Sequence, residues 1–342
     1  MERGVPAFVF PDRRVPLLAR AKRDLCGAVP GKRMASRWLV RAVRVMTVSS
    51  PCRRCISAAG RSGARVCKED GEKNMLSGPL QFRILGVVEA RTGAESVQLS
   101  GKQRSLLAVL LLQANCAVTN SLLMDALWGR PLPVAPETRV RTLVFELRRS
   151  LARHEFHSIE TKPSSYAIRI EDCQLDLAVF LARVRKAREA VISGTPSVAL
   201  AAYDEALALW HGTALTGASG PYAEAESARL EELRLTVMEE RIGTLLQLGR
   251  PAEVVTDLNR LVLLHPLREG LHAQLMTALY RCGRRTEALD LFRSLRSRLV
   301  QELGMEPLPE LRDLQQQMLS SVPVSNLPQR ERLTGLAQSR RG

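Results

Sequence analysis

No stretch of this 342-residue chain stays apolar for long. The longest uninterrupted run, Leu106 to Leu112, falls far short of the ~18 residues that a membrane-spanning helix needs. Earlier apolar clusters are broken by Arg13, Arg37, Arg41 and Arg44, so no secretory signal forms and no membrane partner is expected. Cysteine spacing is equally uninformative. Cys26, Cys52, Cys55 and Cys67 crowd the first 74 residues, while Cys116, Cys173 and Cys282 are scattered, so no disulfide framework is implied and a reducing cytoplasm fits best. Cys52 and Cys55 form a CxxC that could join a zinc knuckle with Cys67 and Cys26, but no second CxxC completes it. The histidines, His154, His157, His211, His265 and His272, lack zinc-protease spacing, and Pro266 breaks the helix that would align the last two. A phosphate cradle is missing too: GAVPGKR from Gly27 has the wrong glycine spacing and no following hydroxyl. The expectation is therefore a protein that is not an enzyme and carries no cofactor or metal.

What the sequence has is positive charge, +15 overall, which first suggests a polyanionic partner because Lys and Arg displace counterions from phosphates. Its distribution matters more than its total. Residues 1–74 hold 17 of the 50 basic side chains and only 6 of the 35 acidic ones, leaving the remainder nearly balanced at 33 against 29. Those first residues lack sustained periodicity, and Arg, Gly, Ser and Pro interrupt each apolar cluster, so residues 1–79 are read as a disordered basic leader. Met75 stands just ahead of the first regular segment and is a candidate translation start.

From Leu80 the pattern changes. Phe82 and Ile84 alternate with polar neighbours, Arg91 to Ala94 offers a turn, and Val97 and Leu99 resume the alternation, which predicts a small antiparallel sheet. Lys102–Ala114 and Ser121–Trp128 predict two helices, the second capped by Thr119 or Asn120 and closed by Gly129, with Trp128 read as core. After a connector holding Pro131, Pro133 and Pro136, a third helix is predicted over Pro136–Arg153, and a closing hairpin over Ser158–Ile170. Residues 80–172 thus read as an α+β winged helix-turn-helix. Beyond Leu175 every segment has helical spacing, as in Phe180, Val184, Ala187 and Val191. Gly249-Arg250 and Gly283-Arg284 stand 34 residues apart, the period of tetratricopeptide-like helix pairs that stack around a concave partner-binding face. Residues 173–320 are accordingly expected to form an all-α domain, and residues 321–342 a disordered tail.

The third helix carries the functional signal. Val140, Leu143, Val144, Leu147 and Leu151 share one side and are expected to anchor it. Thr138, Arg141, Thr142, Phe145 and Arg149 share the other, with Glu146 at its edge, and Phe145 is an unusual guest on a merely solvated face. Arginine can pair with guanine O6 and N7, and Thr or Phe can touch a thymine methyl, so these five are the candidates for base readout in double-stranded DNA. For the phosphate backbone the candidates are Lys102 and Arg104 at the opening of the first helix, Arg148, and Lys162 and Ser164 at the hairpin tip. The competing reading of Lys102, Arg104, Arg148, Arg149 and Arg153 is plain solvation, with the last three complementing the helix dipole.

The runs GKQRSLLAVLLLQAN from Gly101, LLMDALWG from Leu122 and LVFELRRSL from Leu143 resemble the response-regulator-type winged helix of the Streptomyces antibiotic regulatory protein family. EALALWHGTAL from Glu205, AESARLEELRLTVMEERI from Ala225 and the stretch from His265 to Leu311 resemble that family's bacterial transcriptional activation domain, so the likeness covers roughly residues 80–320. The resemblance implies an activator of antibiotic or other secondary-metabolite gene clusters. It would bind direct repeats near promoters with the third helix in the major groove, engage RNA polymerase holoenzyme and work on the nucleoid. Direct repeats would also bring protomers head to tail, so self-association on DNA is expected. No phosphorylatable receiver domain is read in residues 1–74, which points to control by abundance, a ligand or partners. One departure stands out: where family members usually have Gly before the wing tyrosine, this chain has Ser164-Ser165 before Tyr166. The alternative within the same fold is a helical interaction scaffold whose DNA binding is weak or vestigial.

Overall fold

The computed structural model describes residues 80–320, all within one compact unit. The expected leader and tail, with Met75 and the cysteine cluster at Cys26, Cys52, Cys55 and Cys67, lie outside the described residues.

Three short antiparallel strands open the fold: β1 (Gln81–Arg83), β2 (Glu89–Thr92) and β3 (Glu95–Ser96), with Phe82 opposite Ala90 and Thr92 opposite Glu95. Alternation buries Phe82 and Ala90 while their neighbours face water. Helix α1 (Gly101–Leu112) follows, capped by a reciprocal box in which Ser100 Oγ accepts from Gln103 N–H and Gln103 Oε1 accepts from Ser100 N–H. Every residue from Ser105 to Leu111 is buried, because α1 is covered on all sides; this is why its apolar run is unbroken rather than striped. A two-residue strand β4 (Val118–Thr119), which the sequence reading did not foresee, leads into α2 (Asn120–Trp128) with Thr119 as its cap. Trp128 is half-buried against the core.

Helix α3 (Pro136–Ala152) begins with Pro at its first position, where the missing N–H costs nothing. Val140, Val144, Leu147 and Leu151 are fully buried and Leu143 partly so, each large side chain contributing roughly 1.5–3 kcal/mol relative to exposure. The hairpin β5 (Ile159–Lys162) and β6 (Ser165–Ile168) pairs with β4 in the order β4-β6-β5. Sheet, three helices and hairpin make the winged helix.

Beyond the 3-10 turn Asp172–Gln174 the described chain is helical: α4 (Asp176–Ile192), α5 (Pro196–Leu207), α6 (Pro221–Gln247), α7 (Val255–Leu264), α8 (Glu269–Arg281), α9 (Arg285–Leu303) and α10 (Pro309–Leu319). The 34-residue repeat is structural. Gly249 and Gly283 both adopt positive φ after their helices, and the next N–H reaches back to the helix end, Arg250 to Leu245 O and Arg284 to Leu279 O. Each arginine then grips the glutamate three residues on, Glu253 and Glu287.

The hydrophobic cores do not divide where the sequence changes character. One cluster runs from Leu80 through the winged helix into α4, α5 and the first part of α6; a second, including Leu245, Leu258, Leu275, Phe292 and Met318, fills α6 to α10. The long helix α6, roughly 40 Å at 1.5 Å per residue, contributes to both. Backbone bonds reinforce the first cluster. The β1–β2 connection is stitched to the loop between α5 and α6 by His211 N–H to Leu85 O, Leu215 N–H to Ile84 O, Thr216 N–H to Gly86 O and Val88 N–H to Thr216 O. The carboxylate of Asp176, at the start of α4, accepts from the backbone N–H groups of Ile84, Leu85 and Leu177 at 2.7–3.0 Å. Ser219 N–H donates to Ser105 Oγ on α1 at 2.8 Å. Next to it, Gly220 passes so close to α2 that a Cβ would stand 2.6 Å from Ala126 O.

Candidate nucleic-acid interface

With its aliphatic side buried, α3 presents the opposite side to solvent. Thr138, Thr142, Phe145 and Arg149 form its central stripe, Arg141 flanks it toward the hairpin, and all are exposed, Phe145 by 65%. Thr142 Oγ1 donates to Thr138 O at 3.1 Å, which settles its hydroxyl against the helix. The other flank carries Arg139 and Glu146, both exposed. Arg139 was left unnamed by the sequence reading, although its place seven residues before Glu146 on the wheel was the signal available.

Charge partners are scarcer on this face than over much of the helical array. Among the described residues, Arg139, Arg141, Arg148, Arg149 and Arg153 of α3 and its C-terminal cap make no ion pair, whereas arginines of the helical array are repeatedly matched: Arg188 with Glu240, Arg241 with Asp204, Arg268 with Glu232 and Glu239, Arg296 with Glu306. A cluster of unneutralised guanidinium groups around an exposed phenyl ring is poorly suited to a self-contained surface and well suited to a polyanion with apolar features.

The five expected phosphate contacts are placed less uniformly. Arg148 is turned toward the hairpin, donating through one terminal nitrogen to Ile159 O at 2.7 Å and Thr161 Oγ1 at 2.8 Å, with its guanidinium 6.0 Å over the Tyr166 ring. Lys102 Nζ donates to Leu127 O at the end of α2, at 2.8 Å. Arg104 is half-buried over Gly217, where a Cβ would stand 3.2 Å from its Cδ. Lys162 lies 3.6 Å from Glu160. Ser164 occupies the second position of the two-residue hairpin turn with φ at 55°, the left-handed region that glycine favours, and its carbonyl accepts from Asn120 N–H at 2.9 Å. The wing is thereby pinned to the start of α2 at the cost of a strained serine.

Gln103 is a further residue the sequence reading did not single out as part of this site. Its Nε2 donates to Glu146 Oε2 at 3.5 Å, linking the cap of α1 to the flank of α3. Among the described residues no group of His, Cys, Asp and Glu is placed to hold a metal ion, and no helix is long and apolar enough to cross a membrane.

Comparison with known proteins gives two family matches: "Transcriptional regulatory protein, C terminal" over residues 93–165, and "Bacterial transcriptional activator domain" over residues 175–319. The regulatory protein AfsR of Streptomyces griseus is 39% identical over 241 residues, 70% of this chain and 24% of AfsR, so the chain spans about a quarter of that relative. The regulatory protein DnrI of Streptomyces peucetius is 35% identical over 71% of this chain and 93% of its own length. Among solved structures, Mycobacterium tuberculosis EmbR in complex with a low affinity phosphopeptide superposes with a TM-score of 0.69 at 28% identity, covering 71% of this chain and 66% of that one.

Proposed function

Since this chain belongs to the Streptomyces antibiotic regulatory protein family, we propose that it is a sequence-specific DNA-binding activator of a secondary-metabolite gene cluster, acting at direct repeats near the promoter. The observation that carries the reading is the outer face of α3, where arginines without acidic partners surround an exposed Phe145. Laid in the major groove, Arg141 and Arg149 pair with guanine edges or nearby phosphates, Phe145 and the methyl groups of Thr138 and Thr142 meet thymine methyls, and α3 supplies the specificity. The wing reaches the backbone through Lys162 and Ser164, with Arg148 at its base. Lys102 keeps two of its three N–H donors for a phosphate, and Arg104 adds positive field from beneath the array.

Protomers on adjacent repeats stand head to tail about one helical turn apart, and the helical array then lies where it can touch a neighbour and RNA polymerase holoenzyme. The shared core and the backbone stitching between β1–β2 and the α5–α6 loop support this, because they carry the array rigidly with the winged helix. The setting is the cytoplasm, on the nucleoid. Mobility-shift and footprinting measurements on the full chain, with the promoter regions flanking its own gene, test the reading. A protected direct repeat whose affinity falls steeply with salt is expected, and binding no tighter than to random duplex would contradict it.

A further inference from the structure

The sequence-specific binding proposed above leaves the one carboxylate on this flank of α3, Glu146, without a role. A carboxylate on a surface meant for DNA is repelled by every phosphate, so its presence beside the arginines requires a local donor. The usual answer, an arginine one turn away on the same helix, does not hold here: Arg149 stands three residues on, yet Glu146 is in no ion pair among the described residues. The donor that faces it is instead a neutral amide, at 3.5 Å. Gln103 is nine-tenths buried and fixed by the capping box, its Oε1 accepting from Ser100 N–H at 2.8 Å, while its Nε2 points at Glu146 Oε2. One carboxylate oxygen is turned toward α1, and Oε1 is left for a donor outside the protein.

We propose that Glu146 is a specificity-determining residue that accepts a hydrogen bond from the N4 amino group of a cytosine in the major groove. Only cytosine N4 and adenine N6 offer donors there, and adenine sets the N7 acceptor beside its amino group, where it repels a carboxylate. Guanine presents O6 and N7 and thymine presents O4, acceptors that a carboxylate opposes. Glu146 therefore selects by attraction to one base and by repulsion of two others, an economical form of discrimination on a face whose arginines favour guanine. Gln103 keeps the carboxylate from collapsing onto those arginines.

Selection of binding sites from a randomised duplex library by the full chain, by Glu146→Gln and by Glu146→Ala tests this. In the parent motif one column carries cytosine with a preference of about tenfold. A carboxamide offers a donor and an acceptor that match adenine N6 and N7, so Glu146→Gln moves that single column to adenine. Glu146→Ala erases the preference there and binds unrelated DNA more tightly, since a negative charge is gone. Both variants selecting the parent motif, or tightening on all sequences alike with no column changed, would overturn the role of Glu146 while leaving α3 as the reader. Failure of the parent itself to enrich any motif would remove the DNA-binding reading, and this inference with it.

Discussion

Asp176 gives the sharpest test of how the winged helix is joined to the helical array. Burial pushes its carboxyl up to about 6, against the pull of the backbone N–H groups of Leu85, Ile84 and Leu177 and of the Arg83 guanidinium. In the unfolded chain it returns to the ordinary range near 4. Between these values the folded protein holds a proton that the unfolded chain has lost, so this group stabilises the fold most at acidic pH, and its contribution is lost as pH rises through about 6. At about 1.4 kcal/mol per pH unit the full effect approaches about 3 kcal/mol, of which about 2 kcal/mol falls between pH 4.5 and pH 7.5, or roughly 4–8 °C in melting temperature for a unit of this size. Asp176→Asn cannot ionise, and all other titrating groups are common to the two proteins. Thermal denaturation of parent and variant between pH 4.5 and 7.5 should therefore show the parent losing ground to the variant as pH rises. A parent that gains on Asp176→Asn with rising pH would mean that the three N–H groups hold the carboxylate charged in spite of its burial, and the reasoning would be refuted.

Three further outcomes are expected. Arg141→Ala and Arg149→Ala should each cost about 1–3 kcal/mol at the specific site and relax preference at one base pair, as measured by competition shifts against single-position operator variants. Ser164→Gly should raise stability by about 0.5–1 kcal/mol in a urea melt, because glycine adopts the left-handed conformation of the turn without strain. Gly220→Ala should destabilise by more than about 2 kcal/mol in the same assay, since φ at this position is +119° and the new methyl meets Ala126 O on α2.

The elements that were readable in the sequence are those whose partners are close in the chain. The spacing of Val140, Val144, Leu147 and Leu151 gave the buried side of α3 before any neighbour was known, and the solvent side followed from it. Gly249 and Gly283 marked the repeat because a positive φ after a helix is a local requirement. Contacts across long separations left no such trace. Arg148 looks on a wheel like one more cation on the flank of α3, and nothing in its spacing reveals that the hairpin supplies Ile159 O and Thr161 as partners. Lys102 was likewise readable as a helix-start cation but not as a donor to Leu127 O, 25 residues away. The stitching of residues 211–219 onto β1–β2 and α1 uses mainly backbone groups, which every sequence possesses, so composition and periodicity pass over it. Ser164 is an intermediate case: its departure from the family's usual glycine flagged the turn, and its φ of 55° shows the strain that glycine would have avoided.

Methylation interference on the selected operator tests the placement of α3 most directly, because dimethyl sulfate marks guanine N7 in the major groove and adenine N3 in the minor groove in one reaction. Reading by Arg141, Arg149 and Phe145 predicts that N7 methylation of guanines within each repeat blocks binding while N3 methylation of adenines there does not. Interference confined to adenine N3, or no interference at any guanine of the repeats, would contradict it.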